Sequence, residues 1–180
     1  MNRIETYQAL AQAFSYPWNR ETLLWSVEQL RGSLESCGED PLAGLREFIS
    51  RSDLARIQEE YTVAFDLSPA CAPYVGYHLF GDTHKKGEYM IKLKGIYREH
   101  GYYPPDSELP DHLSVLFDFL AHMRREAMDE ERRDFLSAHM LEGMNKMRSV
   151  AGSKPEMLWR DLITAACMIC AADCEEVTTC

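Results

Sequence analysis

The stretch with the clearest chemical potential is SELPDHLSVLFDFLAHM, residues 107–123, because it places a carboxylate directly before an imidazole. Asp111 and His112 could act together as an acid–base pair, so a small helical hydrolase is one hypothesis. Neighbouring residues on a helix point about 100° apart, however, and metal-binding helices space their ligands at three or four residues. The sequence also contains no G-x-S-x-G nucleophile motif, no phosphate-binding glycine loop and no H-E-x-x-H motif.

The same residues can equally be explained as the beginning of a helix. Pro110 stands where a helix can start, and an acid near a helix N-terminus is stabilising by about 0.3–1 kcal/mol. Glu108 or Asp111 could supply that acid, and His112 would then have only a hydrogen-bonding role. On residue chemistry alone, both interpretations stay open.

Cysteines form a second group that could do chemistry, in the C-terminal stretch CMICAADC. Cys167, Cys170 and Cys174 lie along one face of a predicted helix and, with Cys180, could bind zinc or an iron–sulfur cluster. The first and third of these thiols are two turns apart, about 10.5 Å along the axis, which makes a poor metal cage. Their neighbours are alanine, methionine and isoleucine, as in a buried helix. We therefore expect no metal site and keep a metal-binding or iron–sulfur redox protein as the alternative.

Composition limits the class of protein. The chain has 180 residues and a formal net charge of −10, so it should repel a nucleic-acid backbone, whereas a basic peptide or basic protein face would fit. The N-terminus has no secretory signal pattern, and no apolar run is long enough to span a bilayer. We expect a cytoplasmic protein that does not insert into membranes and has no disulfide framework.

Leucine far outnumbers valine and isoleucine, and the apolar residues recur at helical spacing. The sequence predicts an all-α, single-domain bundle of seven to eight helices over residues 1–180, with a long Pro/Gly loop near 66–82. One helix is predicted through Phe135–Met147. A capping box at Ser153–Glu156 predicts the start of a last helix that runs to about Cys174.

Two motif blocks carry a family resemblance. ELPDHL, followed by an apolar helix, resembles the E-x-x-D-H motif of the TorD/DmsD redox-enzyme maturation chaperones. The block YTVAFDLSPACAPYVGYHLFGDTHKKGEYMIKLKGIYREHG is similar to the nitrate reductase delta-subunit (NarJ-like) branch of that superfamily, with its Ser-Pro, His-Leu-Phe-Gly-Asp and Leu-x-x-x-Tyr elements. The two blocks occur in the family's order and cover residues 61–120.

The resemblance implies an all-helical chaperone that is not an enzyme. Such a chaperone binds the N-terminal leader, often a twin-arginine leader, and the apo-form of a molybdenum oxidoreductase catalytic subunit. It holds that client for insertion of the molybdenum cofactor, which it handles only through the client and does not bind permanently. Partners can include molybdenum cofactor biosynthesis proteins, and the chaperone can be a monomer or a domain-swapped dimer. The sequence does not identify the client.

By the same resemblance, client-binding residues are expected in both blocks. Carboxylates beside an apolar groove suit a basic, partly apolar leader, and aromatic residues in a Pro/Gly loop can anchor a peptide or simply pack on the core. Lys85 and Lys86 could reach a cofactor phosphate or be solvated. The candidates are Glu108, Asp111, His112, Tyr74, Tyr77, His78, Phe80 and Asp82.

Overall fold

The computed structural model describes residues 2–34 and 40–175, and every regular element within these ranges is a helix. Ten α-helices follow one another along the described chain: α1 (Arg3–Ala13), α2 (Arg20–Gly32), α3 (Ala43–Arg51), α4 (Leu54–Tyr61), α5 (Val75–Phe80), α6 (His84–Glu99), α7 (Leu113–Arg125), α8 (Asp129–His139), α9 (Leu141–Gly152) and α10 (Arg160–Glu175). A π-helical turn (Thr62–Asp66) continues α4, and a 3₁₀ turn (Pro69–Cys71) precedes α5. The predicted all-α class is confirmed.

The helix count exceeds the predicted seven to eight for two local reasons. The Pro/Gly segment near 66–82 folds into the 3₁₀ turn and α5 rather than a loop. The single helix expected through Phe135–Met147 is two helices, because the chain bends at Met140, whose φ of −120° leaves the helical range. The last helix also begins later than its expected capping box, at Arg160.

Helix α7 is the centre of the bundle. It packs most extensively against α1, while α8 also contacts it. Eight of its residues are buried, in agreement with the apolar pattern of the sequence. On this helix, Phe117 stacks with Tyr7 of α1, and Phe119 packs at a tilt against Tyr97 of α6. The core therefore lies on both sides of α7, and the segment that precedes α7 leads directly into this buried helix.

Polar side chains begin several helices as expected for N-caps. The side chains of Asn2, Asn19 and Asp53 accept hydrogen bonds from backbone N–H groups in the first turns of α1, α2 and α4. His112 does the same for α7, through its ring nitrogen. The opening turn of α7 is thus fixed by a residue of the E-x-x-D-H motif.

A buried ion cluster joins α1, α8 and α10. Asp173, which is 1% exposed, pairs with Arg132 and accepts a hydrogen bond from the Tyr7 hydroxyl. Arg3 lies 3.3 Å from the same carboxylate. Because these residues lie far apart in the sequence, local pattern could not predict this cluster.

None of the described helices combines the length and apolar composition that a bilayer-spanning segment needs.

Candidate functional site

The two motif blocks meet through their backbones. The Val75 N–H donates to the Asp111 carbonyl at 3.0 Å, and the Leu113 N–H donates to the Pro73 carbonyl at 2.8 Å. These bonds frame an isolated antiparallel bridge between Tyr74 and His112. The segment that begins α5 is therefore fastened to the segment that begins α7.

The Asp111 carboxylate lies at the centre of this junction and is 1% exposed. Its Oδ2 accepts the Gly76 N–H at 3.1 Å, whereas its Oδ1 has no hydrogen-bond partner among the described residues. Burial raises the pKa of Asp111 above its ordinary value. A buried carboxylate oxygen without a partner is unfavourable, so a donor that reached Oδ1 would be bound with a free-energy gain.

Gly76 is required by the closeness of this contact. A Cβ atom at position 76 would lie 2.7 Å from Asp111 Oδ2 and 2.9 Å from Cδ1 of Tyr89. Only a residue without a side chain therefore lets the N-terminus of α5 approach the Asp111 carboxylate.

His112 is 3% exposed and serves as a cap. Its Nδ1 accepts the Ser114 N–H at 3.1 Å and lies 2.6 Å from Ser114 Oγ. Its Nε2 lies 3.9 Å from Glu108 Oε2, and its ring meets the Tyr74 ring edge-on at 5.0 Å. Burial lowers the pKa of His112 to about 4, although the Glu108 charge acts in the opposite direction. The imidazole is therefore neutral near pH 7.

Glu108, His112 and Ser114 have the residue types of a hydrolytic triad, but their geometry favours capping. The Nδ1 atom already accepts the Ser114 backbone N–H. An imidazole with a pKa of about 4 is also a weak base for activating a hydroxyl at neutral pH. The arrangement begins α7 rather than activating Ser114.

A cleft of about 320 Å³ opens beside Asp111. Its walls are mainly apolar or aromatic, with Leu109 49% exposed at the surface. Lys86 is the basic residue in the lining. The lining consists of Pro69, Ala72, Tyr74, Tyr77, Lys86, Met90, Leu109 and Asp111. Leu109 and Met90 were absent from the candidates because no spacing in the sequence relates them to this cleft, and Gly76 was absent because its contact with Asp111 is tertiary.

Of the remaining candidates, the structure brings Glu108 and Tyr74 together with Asp111 and His112. The Tyr74 hydroxyl donates to Glu108 Oε1 at 3.2 Å, and burial together with the Glu108 charge raises the pKa of Tyr74 to about 12. Tyr77 lines the cleft. The hydroxyl of Tyr74 thus remains protonated and holds the Glu108 carboxylate in place.

His78, Phe80 and Asp82 do not line this cleft. His78 Nε2 is 2.7 Å from the Ala72 carbonyl, which identifies it as the protonated nitrogen, and burial lowers the pKa of His78. Phe80 packs on the Tyr89 ring, with 5.5 Å between centroids. Asp82 is solvent-exposed and lies 3.2 Å from Lys86. Their predicted role in client binding stays a prediction.

The C-terminal cysteines do not form a set of metal ligands within the described residues. Cys167 and Cys170 are buried, and no group of three or more His, Cys, Asp or Glu residues there could hold a metal ion. Burial raises the pKa of Cys167 to about 11 and that of Cys170 well above its ordinary value, so both remain thiols at neutral pH. Cys180 lies outside the described residues.

Comparison with known proteins gives consistent results for sequence and fold. The sequence model described as "Nitrate reductase delta subunit" matches residues 33–148, which include both motif blocks. A Bacillus subtilis protein named as a probable nitrate reductase molybdenum cofactor assembly chaperone, NarJ, is 30% identical over 135 residues, 73% of each chain. The Escherichia coli nitrate reductase molybdenum cofactor assembly chaperone NarJ is 30% identical over 77 residues, 43% of this chain and 33% of its own.

The fold has a counterpart among solved structures. The crystal structure of a redox enzyme maturation protein from Archaeoglobus fulgidus superposes with a TM-score of 0.58. The match covers 97% of this chain and 93% of that chain at 23% sequence identity. At this identity the likeness concerns the helical fold.

Proposed function

The chain belongs to the nitrate reductase delta subunit family, and from that premise we propose that it is the system-specific maturation chaperone of a nitrate reductase-like molybdenum oxidoreductase. Its client would be the apo catalytic subunit, held through an N-terminal segment while the molybdenum cofactor is inserted. The cofactor would be handled through the client, with no chemistry by the chaperone itself. The family match across both motif blocks is the observation that carries this proposal.

The binding site proposed for the client is the cleft beside Asp111. An apolar side chain of the client would enter between Leu109, Tyr77 and Met90, where apolar surface is available. A donor of the client would reach Asp111 Oδ1, the carboxylate oxygen without a partner among the described residues. Apolar contact would supply affinity, and the buried oxygen would select a segment with a suitably placed donor.

Unlike Asp111, Glu108 and His112 do not contact the client in the cleft in this proposal. His112 caps α7, and Tyr74 holds Glu108, so both residues shape the site rather than lying in the lining of the cleft. We further propose that residues 1–180 form one domain and that the work takes place in the cytoplasm. A monomer or a domain-swapped dimer, and contacts with cofactor biosynthesis proteins, remain part of the proposal.

Calorimetric titration with a peptide tests the binding step. The peptide copies roughly the first 40 residues of the molybdenum oxidoreductase catalytic subunit encoded beside this gene. We expect saturable binding that Leu109→Glu abolishes, because a charge would enter the apolar cleft. Asp111→Asn should weaken binding about tenfold, because it can keep the Gly76 hydrogen bond but loses one carboxylate acceptor.

Ile91→Glu is the matched control, because Ile91 is an apolar residue of α6, 73% exposed, that does not line the cleft. It should bind the peptide like the wild type. Equal binding by Leu109→Glu and Ile91→Glu would exclude the cleft. No binding by the wild type would count against recognition of the client's N-terminus.

A further inference from the structure

A larger groove lies on the other side of Glu108 from the cleft. It has a volume of about 700 Å³ and runs between α1, α7 and the connection that precedes α7. Tyr74 lines the cleft, and Glu108 lines the groove, so the hydrogen bond between them marks the boundary. A peptide bound in the cleft could therefore continue into the groove without leaving the surface.

The groove is acidic. Glu108 and Asp118 line it, and the residues that line it in the described chain include no lysine, arginine or histidine. Asp118 Oδ2 accepts the Tyr102 hydroxyl at 2.9 Å, and burial together with the Asp118 charge raises the pKa of Tyr102. Asp118 forms no ion pair with any described residue. Two carboxylates held by tyrosine hydroxyls and without lysine or arginine partners favour a cationic occupant.

An aromatic pair, a half-buried Tyr16 and an exposed Trp18, lies along the same groove. Trp18 is 79% exposed, and its ring is 4.7 Å from the Tyr16 ring. Such exposure of a tryptophan is unfavourable in water, whereas the face of its ring attracts a guanidinium or ammonium group. The aromatic pair and the carboxylates thus favour the same kind of ligand group.

The cleft and the groove differ in the charge that they accept. Lys86 lines the cleft and would repel a second cation there, whereas its apolar walls suit an apolar side chain. The groove, by contrast, is lined by two carboxylates and by no described basic residue, so it suits a cation. A peptide with an apolar part and a basic part would accordingly bind in a single direction, with the apolar part in the cleft and the basic part in the groove.

We infer that the groove between α1 and α7 binds a basic segment of the client peptide, with an arginine or lysine side chain stacked on Trp18 and paired with Asp118. This inference rests on the proposed function, since it assigns a second subsite for the same client. It adds Tyr16, Trp18 and Asp118 to the recognition surface.

The test uses the same 40-residue client peptide and a second version in which every arginine and lysine is glutamine. Trp18→Ala should weaken binding of the natural peptide by about 3- to 30-fold, the range of a cation–π contact. Asp118→Asn, which can still accept the Tyr102 hydrogen bond, should weaken it by a similar factor. Both variants should bind the glutamine peptide as weakly as the wild type does, because the cation that they recognise is absent.

Trp25→Ala is the matched control, because Trp25 is 52% exposed on α2 and does not line the groove. If Trp18→Ala and Trp25→Ala bind the natural peptide equally well, the groove assignment is wrong. The proposed function would survive that result provided that Leu109→Glu still abolishes binding. If the wild type binds neither peptide, recognition of the leader and the groove assignment are rejected together.

Discussion

Among single residues, Asp111 has a structural contact and a proposed role in client binding. One carboxylate oxygen fixes the N-terminus of α5 through Gly76, and the other has no partner among the described residues. The hydrogen bond from position 76 requires a glycine there, and the oxygen without a partner could accept a hydrogen bond from a ligand. A single carboxylate therefore makes both the position of α5 and the chemistry of the cleft depend on the E-x-x-D-H motif.

Replacement of Gly76 by alanine tests the contact between position 76 and Asp111. The added Cβ would lie within 3 Å of Asp111 Oδ2 and the Tyr89 ring, so we expect a loss of about 1–3 kcal/mol in the free energy of unfolding. Denaturant unfolding measures it. Gly87→Ala on α6 is the control, because its Cβ would meet nothing within 4 Å, and it should gain about 0.5–1 kcal/mol. Equal stability of the two variants would refute the close contact.

His112 makes stability depend on pH. Its pKa is about 4 when folded and 6.5 at its ordinary value, so the unfolded chain takes up the proton first as pH falls. The folded state should lose about 3 kcal/mol between pH 6.5 and 4 through this group. Asp111, whose folded pKa is raised, acts in the opposite direction, since the folded state retains its proton longer as pH rises.

Denaturant unfolding at a series of pH values isolates the contribution of His112. We expect His112→Asn, which keeps a capping acceptor, to lose less stability than the wild type between pH 6.5 and 4. His84→Gln should behave like the wild type, because the His84 side chain is 80% exposed. Parallel pH profiles for the wild type and His112→Asn would show that His112 is not buried as described.

Among the helices, α1, α8 and α10 are joined by the buried ion cluster around Asp173. Asp173→Ala would leave Arg132, which is 2% exposed, without its closest counter-ion. We expect a loss of about 3–5 kcal/mol in the free energy of unfolding, as for broken buried ion pairs. Glu47→Ala breaks an exposed pair with Arg51 and should cost about 0–1 kcal/mol. Similar losses in the two variants, measured by denaturant unfolding, would contradict the burial of the cluster.

Some helices could be predicted from the sequence and others could not. Helix α7 was predictable because its apolar stripe and its capping motif are local features. Helix α5 was not, because its six residues include Gly76 and its first N–H groups are satisfied by Asp111, 35 or more positions away in the chain. The break at Met140 was hidden because both flanking helices continue the same apolar spacing. Of the residues in the proposed binding surfaces, Asp111 and Tyr77 were predicted by resemblance, whereas Leu109 and Trp18 were proposed only from the tertiary structure.

In the whole molecule, the cleft and the groove differ in charge, and the proposed ligand of the groove is basic. The chain has a formal net charge of −10, yet Lys86 lies in the apolar cleft and the acidic groove contains no basic side chain in its described lining. The net charge should speed association with a basic peptide, and salt should slow it. The local contrast between cleft and groove would then set the direction of the bound segment.

If the protein matures a molybdenum oxidoreductase, the molybdenum content of that enzyme must depend on it. The catalytic subunit would be purified from cells that contain this gene, lack it, or carry Leu109→Glu or Ile91→Glu, and its molybdenum measured by elemental analysis. We predict that the subunit from cells without the gene and from Leu109→Glu cells accumulates with little molybdenum, whereas wild type and Ile91→Glu give loaded enzyme. A fully loaded subunit from cells without the gene would show that the protein is not needed for insertion of the molybdenum cofactor.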